Sequence, residues 1–247
     1  MEIAMKVERV VAWLREQVEE SGTTGLVVGI SGGIDSAVVA NLIYRAFPNQ
    51  SLGVILPIRS HQDDIDDGLA VAIACGIKHT TVNLDNEHEN VLSKAINALQ
   101  KLELYDENKL RISDANLRAR LRMSTLYTIA NNVNSLVVGT DNAAELHTGY
   151  FTKYGDGGVD ILPIAGLTKR EVYQWGEYLG VPQSVLNREP SAGLWEGQTD
   201  EKEMGTTYEM IDDFLEGKEV PQKDKEIIER LHGISHHKRV MPPLPNI

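Results

Sequence analysis

Apolar and polar positions along the chain repeat with two different periods. Val7, Val10, Val11, Leu14 and Val18 recur at helical spacing, which predicts a helix over about residues 4–20. The run Leu26, Val27, Val28, Gly29, Ile30 is short, β-branched and bounded by glycine, and reads as a fully buried strand of a parallel sheet. A helix over about 35–47 follows, with Ala37, Val38, Ala40, Leu42 and Ile43 on its packed face and Pro48 at its end. Leu52 to Leu56 reads as a second strand, Pro57 to Asp63 as a loop, the next segment as a helix to about Ala74 closed by Gly76, and 78–84 as a third strand. One helix between consecutive strands predicts an α/β fold, a doubly wound parallel sheet with helices on both faces.

From Asp85 to Asn134 the pattern is helical, with a break expected near 106–113. Ser135 to Thr140 reads as another strand, Leu162 to Ile164 as a candidate short one, and helices are expected after Thr168, Thr206 and Pro221. There is no internal repeat and no low-complexity linker, so the expectation is one domain over 1–247. Glu189 to Gly205 is the one long stretch without apolar period, a length typical of lids and binding loops.

The junction of the first strand and its helix changes the picture. In GLVVGISGGIDSAV, Gly32 and Gly33 allow positive φ and close backbone approach, so successive N–H groups can converge on an anion beside a helix N-terminus. The loop lacks the lysine of a Walker A sequence and instead carries Asp35, which repels a bare phosphate and becomes useful through a divalent metal. A tight turn with Ser31 or Asp35 as N-cap is the plainer alternative. The full string Ser-Gly-Gly-Ile-Asp-Ser resembles the SGGxDS pyrophosphate loop of N-type ATP pyrophosphatases, which split ATP into AMP and pyrophosphate to adenylate a substrate.

Composition narrows the partners. With 36 acidic against 24 basic residues the net charge is −12, which argues against nucleic acid as an obligatory partner. The single cysteine, Cys75, excludes an intrachain disulfide and a cysteine-based zinc cluster, and reads as a core thiol of a cytosolic protein. No apolar stretch approaches the ~18 residues of a membrane span, and the amphipathic, acid-bearing N-terminus does not read as a signal peptide, so a cytoplasmic protein without membrane contact is expected.

A second constellation, GTDNAAELHTGYFTKY at 139–154, follows the predicted strand at 135–140, where the carboxyl ends of parallel strands form the ligand crevice. GISGGIDS at 29–36, NLRAR at 116–120, GTDNAAE at 139–145, FTKYGDGGVD at 151–160, LTKRE at 167–171, EPSAGLW at 189–195 and HHKR at 236–239 together resemble the NAD synthetase family, in the family's order and over nearly the whole chain. The resemblance implies an adenine nucleotide alpha hydrolase-like fold and a ligase that adenylates the nicotinate carboxylate of deamido-NAD with ATP, releases pyrophosphate, and lets ammonia displace AMP.

Carried over residue by residue, the resemblance implies ATP contacts at Gly29, Ile30, Ser31, Gly32, Gly33, Ile34, Asp35, Ser36, Thr140, Lys169 and Ser191. It implies magnesium on Asp35 and Glu145, and catalytic roles for Asp35, Glu145 and Lys169. Deamido-NAD would be held by Arg120, Lys153, Asp160, His237 and Lys238, in a homodimer that uses free ammonia, the chain being too short for an added glutaminase domain. Ser191 stands where many members have threonine, and both offer a hydroxyl.

Plainer readings stand beside several of these. Glu145 could be a solvated helix carboxylate, Lys153 a loop lysine, Asp160 a turn acid, and His237-Lys238 a basic tail end. Lys169 could be an exposed charge, although a cation in the first turn of a helix opposes the macrodipole, which favours a phosphate partner. Arg120 flanks an apolar stripe of Leu117, Leu121, Ile129 and Val133 and can project into a cleft, whereas Arg118 and Arg122 read as solvent charges. Asp63, Asp64, Asp66 and Asp67 read as helix-start acids, Gln62 as an adenosine contact or a polar loop residue, and Trp195 as a lid or core anchor; Gly193 is given no role. His232 and His236, four apart, are a weak metal pair without an accompanying carboxylate motif. Competing functions are a tRNA-modifying ligase or sulfurtransferase of the same superfamily, disfavoured by charge and cysteine content, and a nucleotide-binding module without turnover.

Overall fold

The computed structural model describes residues 2–191 and 199–245. The first helix, α1 (Ile3–Ser21), leads into β1 (Gly25–Gly29), α2 (Ile34–Ala46), β2 (Ser51–Ile55), α3 (Gln62–Cys75) and β3 (Lys78–Thr81). Then come α4 (Asp85–Lys101), a 3-10 turn at Glu107–Lys109, α5 (Leu110–Asn132) and β4 (Ser135–Val138). Helices α6 (Ala143–Thr148), α7 (Lys169–Leu179), α8 (Gln183–Leu186), α9 (Asp200–Met204), α10 (Tyr208–Leu215) and α11 (Gln222–Ile234) follow.

The four strands are parallel in the order β3-β2-β1-β4, with Leu26 opposite Ser51 on one side and Leu136 on the other. Side chains alternate across the sheet as the strand period requires. Leu26 and Val28 pack on the face covered by α1, α2 and α7, with Val7, Val11, Leu14, Leu42 and Trp175, whereas Val27 joins Val54, Leu56, Val137 and Ala130 under α5. A smaller core of Ala144, Met204, Tyr208, Ile211 and Ile228 unites α6, α9, α10 and α11 beyond the edge of the sheet.

Three expected strands are shorter than their apolar runs. The third ends at Thr81 and is exposed throughout, as an edge strand can be; Leu84 is buried because it caps α4. The strand at 135–140 ends at Val138, where the chain turns into the cavity. Leu162 to Ile164 forms no strand; pairing is limited to one bridge between Val138 and Ile161. Along α5, Leu121 and Ile129 pack under the sheet as the stripe suggested, but Val133 is 46% exposed because the helix has already ended. Cys75 is half-buried, its thiol donates to the Ala40 carbonyl, and burial pushes it up to about 11, consistent with an unreactive core thiol.

Candidate active site

A cavity of about 580 Å³ opens at the carboxyl ends of β1, β2 and β4. Such crevices are the usual ligand sites of open parallel sheets. Its floor is the loop between β1 and α2. Gly32 has φ +84, and a Cβ there would lie 2.6 Å from the Asp64 carbonyl, so glycine is required by both conformation and space. The Ser36 hydroxyl accepts from the Ser31 N–H at 3.1 Å and donates to the Gly33 carbonyl at 3.0 Å, which braces the loop from within. Gly29, Ser31 and Gly33 border the cavity beside the α2 N-terminus, while the Ile30 and Ile34 side chains are buried. Ile34 packs against Gly176 of α7, where a Cβ would meet its Cδ1 at 2.5 Å; this close approach seats α7 and its first residue, Lys169, beside the loop.

Lys169, Asp35 and Glu145 come together from three separate helices. The Lys169 ammonium lies 2.5 Å from Asp35 Oδ2 and 3.3 Å from Glu145 Oε1, and is 3% exposed. The expected conflict between this cation and the helix start is resolved by Asp212, whose carboxylate accepts from the Lys169 and Arg170 N–H groups at 3.0 and 2.8 Å. The ammonium's partners are therefore carboxylates of the chain itself. Burial opposes its charge, but Asp35 and Glu145 outweigh that and hold its pKa well above the ordinary lysine value. Glu145 is raised as well: burial and then Asp35 take it to about 7 despite Lys169.

Residues that sequence reading overlooked complete this centre. Asn142 caps α6 in a reciprocal capping box with Glu145: its side-chain amide donates to Asp35 Oδ1 at 2.8 Å and its backbone N–H to Glu145 Oε2 at 3.1 Å, so one residue fixes both carboxylates. Tyr208 donates toward Glu145 Oε1 and Asp200 Oδ2 at 3.1 and 2.9 Å, and its ring lies 4.6 Å below the Lys169 ammonium. Tyr150 reaches Asp200 and Glu203. Asp141 and Asp156 also border the cavity, and burial first, opposed for Asp156 by the Thr152 N–H, raises both. The Asn-x-x-Glu spacing was a visible capping signal; Tyr208, more than 60 residues from Glu145, carried none.

The remaining expected contacts divide. Thr140 and Ser191 line the cavity, and Ser191 is exposed. Arg120 donates to the Lys153 carbonyl at 3.4 Å, the Lys153 ammonium to the His237 carbonyl, and Lys238 to the Gly149 and Phe151 carbonyls at 2.7 and 2.6 Å, so these four form one cluster. His237 lines a neighbouring cavity of about 270 Å³, and Lys238 borders both cavities. Asp160 lies apart from them: it accepts from Tyr127 at 2.9 Å and from the Val137 N–H at 2.7 Å, tying α5 to β4.

Several readings as surface charges are corrected. Arg118 is 6% exposed and pairs with Asp114 at 2.6 Å, and Arg122 donates to the Leu56 carbonyl at 3.0 Å inside the cavity wall. α5 packs on the sheet, on α4 and on the cavity, so little of its circumference is left to solvent. Asp64 and Asp67 pair with Arg188 across the cavity rim as well as starting α3. Gln62 bonds Asp66 at 2.8 Å. His232 stacks on His147 at 4.3 Å, and among the described residues no cluster of three metal-ligating side chains of the histidine, cysteine or carboxylate type occurs. Trp195 and Gly193 lie outside the described residues.

Comparison with known proteins agrees with this geometry. Residues 6–242 match the family model for NAD synthase. The NH(3)-dependent NAD(+) synthetase of Alkaliphilus oremlandii is 62% identical over 245 residues, 99% of this chain and 98% of that protein. The solved NMN synthetase of Francisella tularensis superposes with a TM-score of 0.92 at 40% identity, and the NH3-dependent NAD synthetase of Campylobacter jejuni with 0.79 at 27%, each over 100% of both chains. With a glycine loop faced by a buried lysine held between two carboxylates, and a match to the family model over residues 6–242, this chain belongs to the NAD synthase family.

Proposed function

We propose that the chain is a carbon–nitrogen ligase that amidates deamido-NAD to NAD with ATP and ammonia through an adenylated carboxylate, releasing pyrophosphate and then AMP. The observation that carries this reading is the Asp35, Lys169, Glu145 centre at the mouth of the glycine loop. A carboxylate is a poor electrophile because its oxygen is a poor leaving group, and adenylation supplies a better one. The loop N–H groups and the α2 N-terminus take the polyphosphate, and Lys169 offsets charge on the departing pyrophosphate. Thr140 and Ser191 add hydroxyl contacts to ATP, with Gly29, Ile30, Ser31, Gly32, Gly33, Ile34 and Ser36 forming the cradle.

The donor set fits magnesium. Asp35 and Glu145 are hard oxygen donors sharing one cation, in a cavity whose acidic side chains outnumber its basic ones, so an entering polyphosphate needs added positive charge. When bound, the ion would neutralise phosphate charge. Arg120, Lys153 and Lys238 supply cations and His237 an imidazole for the acid substrate, and Asp160 ties α5 to β4 nearby. The reading includes one domain over 1–247, cytoplasmic location and a homodimer. The last is supported by the exposed apolar side chains of Leu102, Leu104 and Ile112.

A second reading concerns the acid substrate. The likeness to the Francisella NMN synthetase, at 40% identity and TM-score 0.92 against 27% and 0.79 for the Campylobacter enzyme, favours the mononucleotide acid as a further substrate. Incubation of the chain with ATP, magnesium and ammonium, and with each acid in turn, decides both. Amide, AMP and pyrophosphate in equal amounts are expected with at least one acid; ADP as the product would overturn the reaction class.

A further inference from the structure

Arg122 differs from three other cations that line the cavity. Lys169 meets Asp35 and Glu145, Arg188 meets Asp64 and Asp67, and Lys238 meets two backbone carbonyls. The Arg122 guanidinium makes one hydrogen bond, from Nε to the Leu56 carbonyl at 3.0 Å, and among the described residues no carboxylate lies within 4.0 Å of it. Its two outer nitrogens have no partner among the described residues, and they are not sealed off, since Arg122 lines the cavity.

Burial, then Arg118, lowers its pKa to about 10 against the more distant Asp156 and Asp64, and it remains charged at neutral pH. A desolvated charge with no ion partner among the described residues lowers the stability of the fold that holds it, and a planar fork with both outer nitrogens free among the described residues matches a carboxylate or a phosphoryl group. The Leu56 carbonyl, at the end of β2, fixes the plane of that fork. α5 packs on the sheet face opposite α2 and α7, so Arg122 and Lys169 reach the cavity from opposite layers.

We propose that Arg122 is a substrate-binding residue whose outer nitrogens take a two-oxygen anion on the wall opposite Lys169. Under the amidation reading, on which the identity of the anion rests, its source is either the carboxylate of the acid substrate or the α-phosphoryl of ATP, the two groups that become joined. A lysine would keep the charge and lose the fork; a glutamine would lose both charge and reach.

The test uses the full chain, Arg122→Gln and Arg122→Lys. Melting without ligand is measured first, then calorimetric binding of ATP with magnesium and of each acid separately, then turnover. Arg122→Gln should melt no lower than the wild type without ligand, because no ion pair is lost. It should bind one anion at least tenfold more weakly, and Arg122→Lys should recover part of that loss. Weakened ATP binding identifies the phosphoryl as the source, and weakened acid binding the carboxylate. Unchanged affinity of Arg122→Gln for every anion that the wild type binds would overturn the proposal, and so would a lower ligand-free melting point with unchanged affinities. Failure of the wild type to convert either acid would remove the amidation reading, while the binding comparison would still decide the role of Arg122.

Discussion

On the α2 and α7 side of the cavity charges meet charges, whereas on the α5 and C-terminal side cations meet backbone carbonyls. Lys169 is enclosed by Asp35 and Glu145, which Asn142 and Tyr208 hold in turn. Across the cavity, Lys238 and Arg122 are oriented by the carbonyls of Gly149, Phe151 and Leu56, and Arg120 and Lys153, which are not among its lining residues, by those of Lys153 and His237. A carbonyl orients a cation without cancelling its charge. The first side is a centre whose charges meet within the chain; on the second, Arg122 and Lys238 stand beside Asp141 and Asp156 without an ion pair to either. Under the proposed amidation, proximity and a fixed field would come from one wall, and affinity from the other.

The largest effects should come from breaking the Asp35, Lys169, Glu145 centre. Lys169→Met leaves two buried carboxylates facing each other, and losing one partner of a buried pair costs about 3–5 kcal/mol. Turnover of Asp35→Asn, which keeps shape and loses charge, should fall about a hundredfold or more. Steady-state kinetics and denaturant melts separate the two: Lys169→Met should lose stability and activity together, Asp35→Asn mainly activity. Near-normal turnover in Asp35→Asn would make that carboxylate structural.

The opposite wall should respond in affinity. Lys153 is half-buried and supported by one carbonyl, so Lys153→Ala should raise KM for the acid substrate about tenfold, or about 1.4 kcal/mol, with kcat within a factor of about two. An equal fall in kcat and kcat/KM would instead put Lys153 in the reacting centre.

A smaller effect tests the electrostatics of Glu145. Its pKa is raised to about 7 from 4.5, so the folded chain keeps a proton that the unfolded chain has released. The stability linked to this group is full below about 4.5 and is lost as pH rises through about 7. Glu145→Gln removes that dependence: its melting point relative to the wild type should rise across this window and level off above it. A difference that stays flat with pH would contradict the assigned shift.

The smallest expected change is at Arg188, which joins the end of α8 to α3 through Asp64 and Asp67 with its side chain 30% exposed. Arg188→Gln should cost about 1 kcal/mol in a denaturant melt, in the range of partly exposed pairs. A loss several times larger would show that this bridge holds the glycine loop in place.

What the sequence revealed followed physical range. Strands β1 and β2 and helix α7 were legible because apolar runs, flanking glycines and the Thr168 to Glu171 capping box are local signals. The glycine loop and Asp35 were legible for the same reason. Arg122 was misread because apolar period along α5 marks only the sheet-facing stripe, and the Leu56 carbonyl that makes its niche lies 66 residues away. Tyr208 and Asp200 reach Glu145 and Lys169 through tertiary packing of α9 and α10, which no local spacing announces. Asp160 had a motif match, yet its partners Tyr127 and Val137 could be identified only once α5 and β4 were placed.

The central claim is that the Asp35, Lys169, Glu145 centre cleaves ATP at the α-phosphorus to activate an acid held by the opposite wall. Exchange of labelled pyrophosphate into ATP, measured with magnesium and without ammonium, tests it most directly. The account predicts exchange that requires deamido-NAD or its mononucleotide counterpart and is abolished in Asp35→Asn. Exchange indifferent to both acids, or label appearing only through ADP, would contradict it.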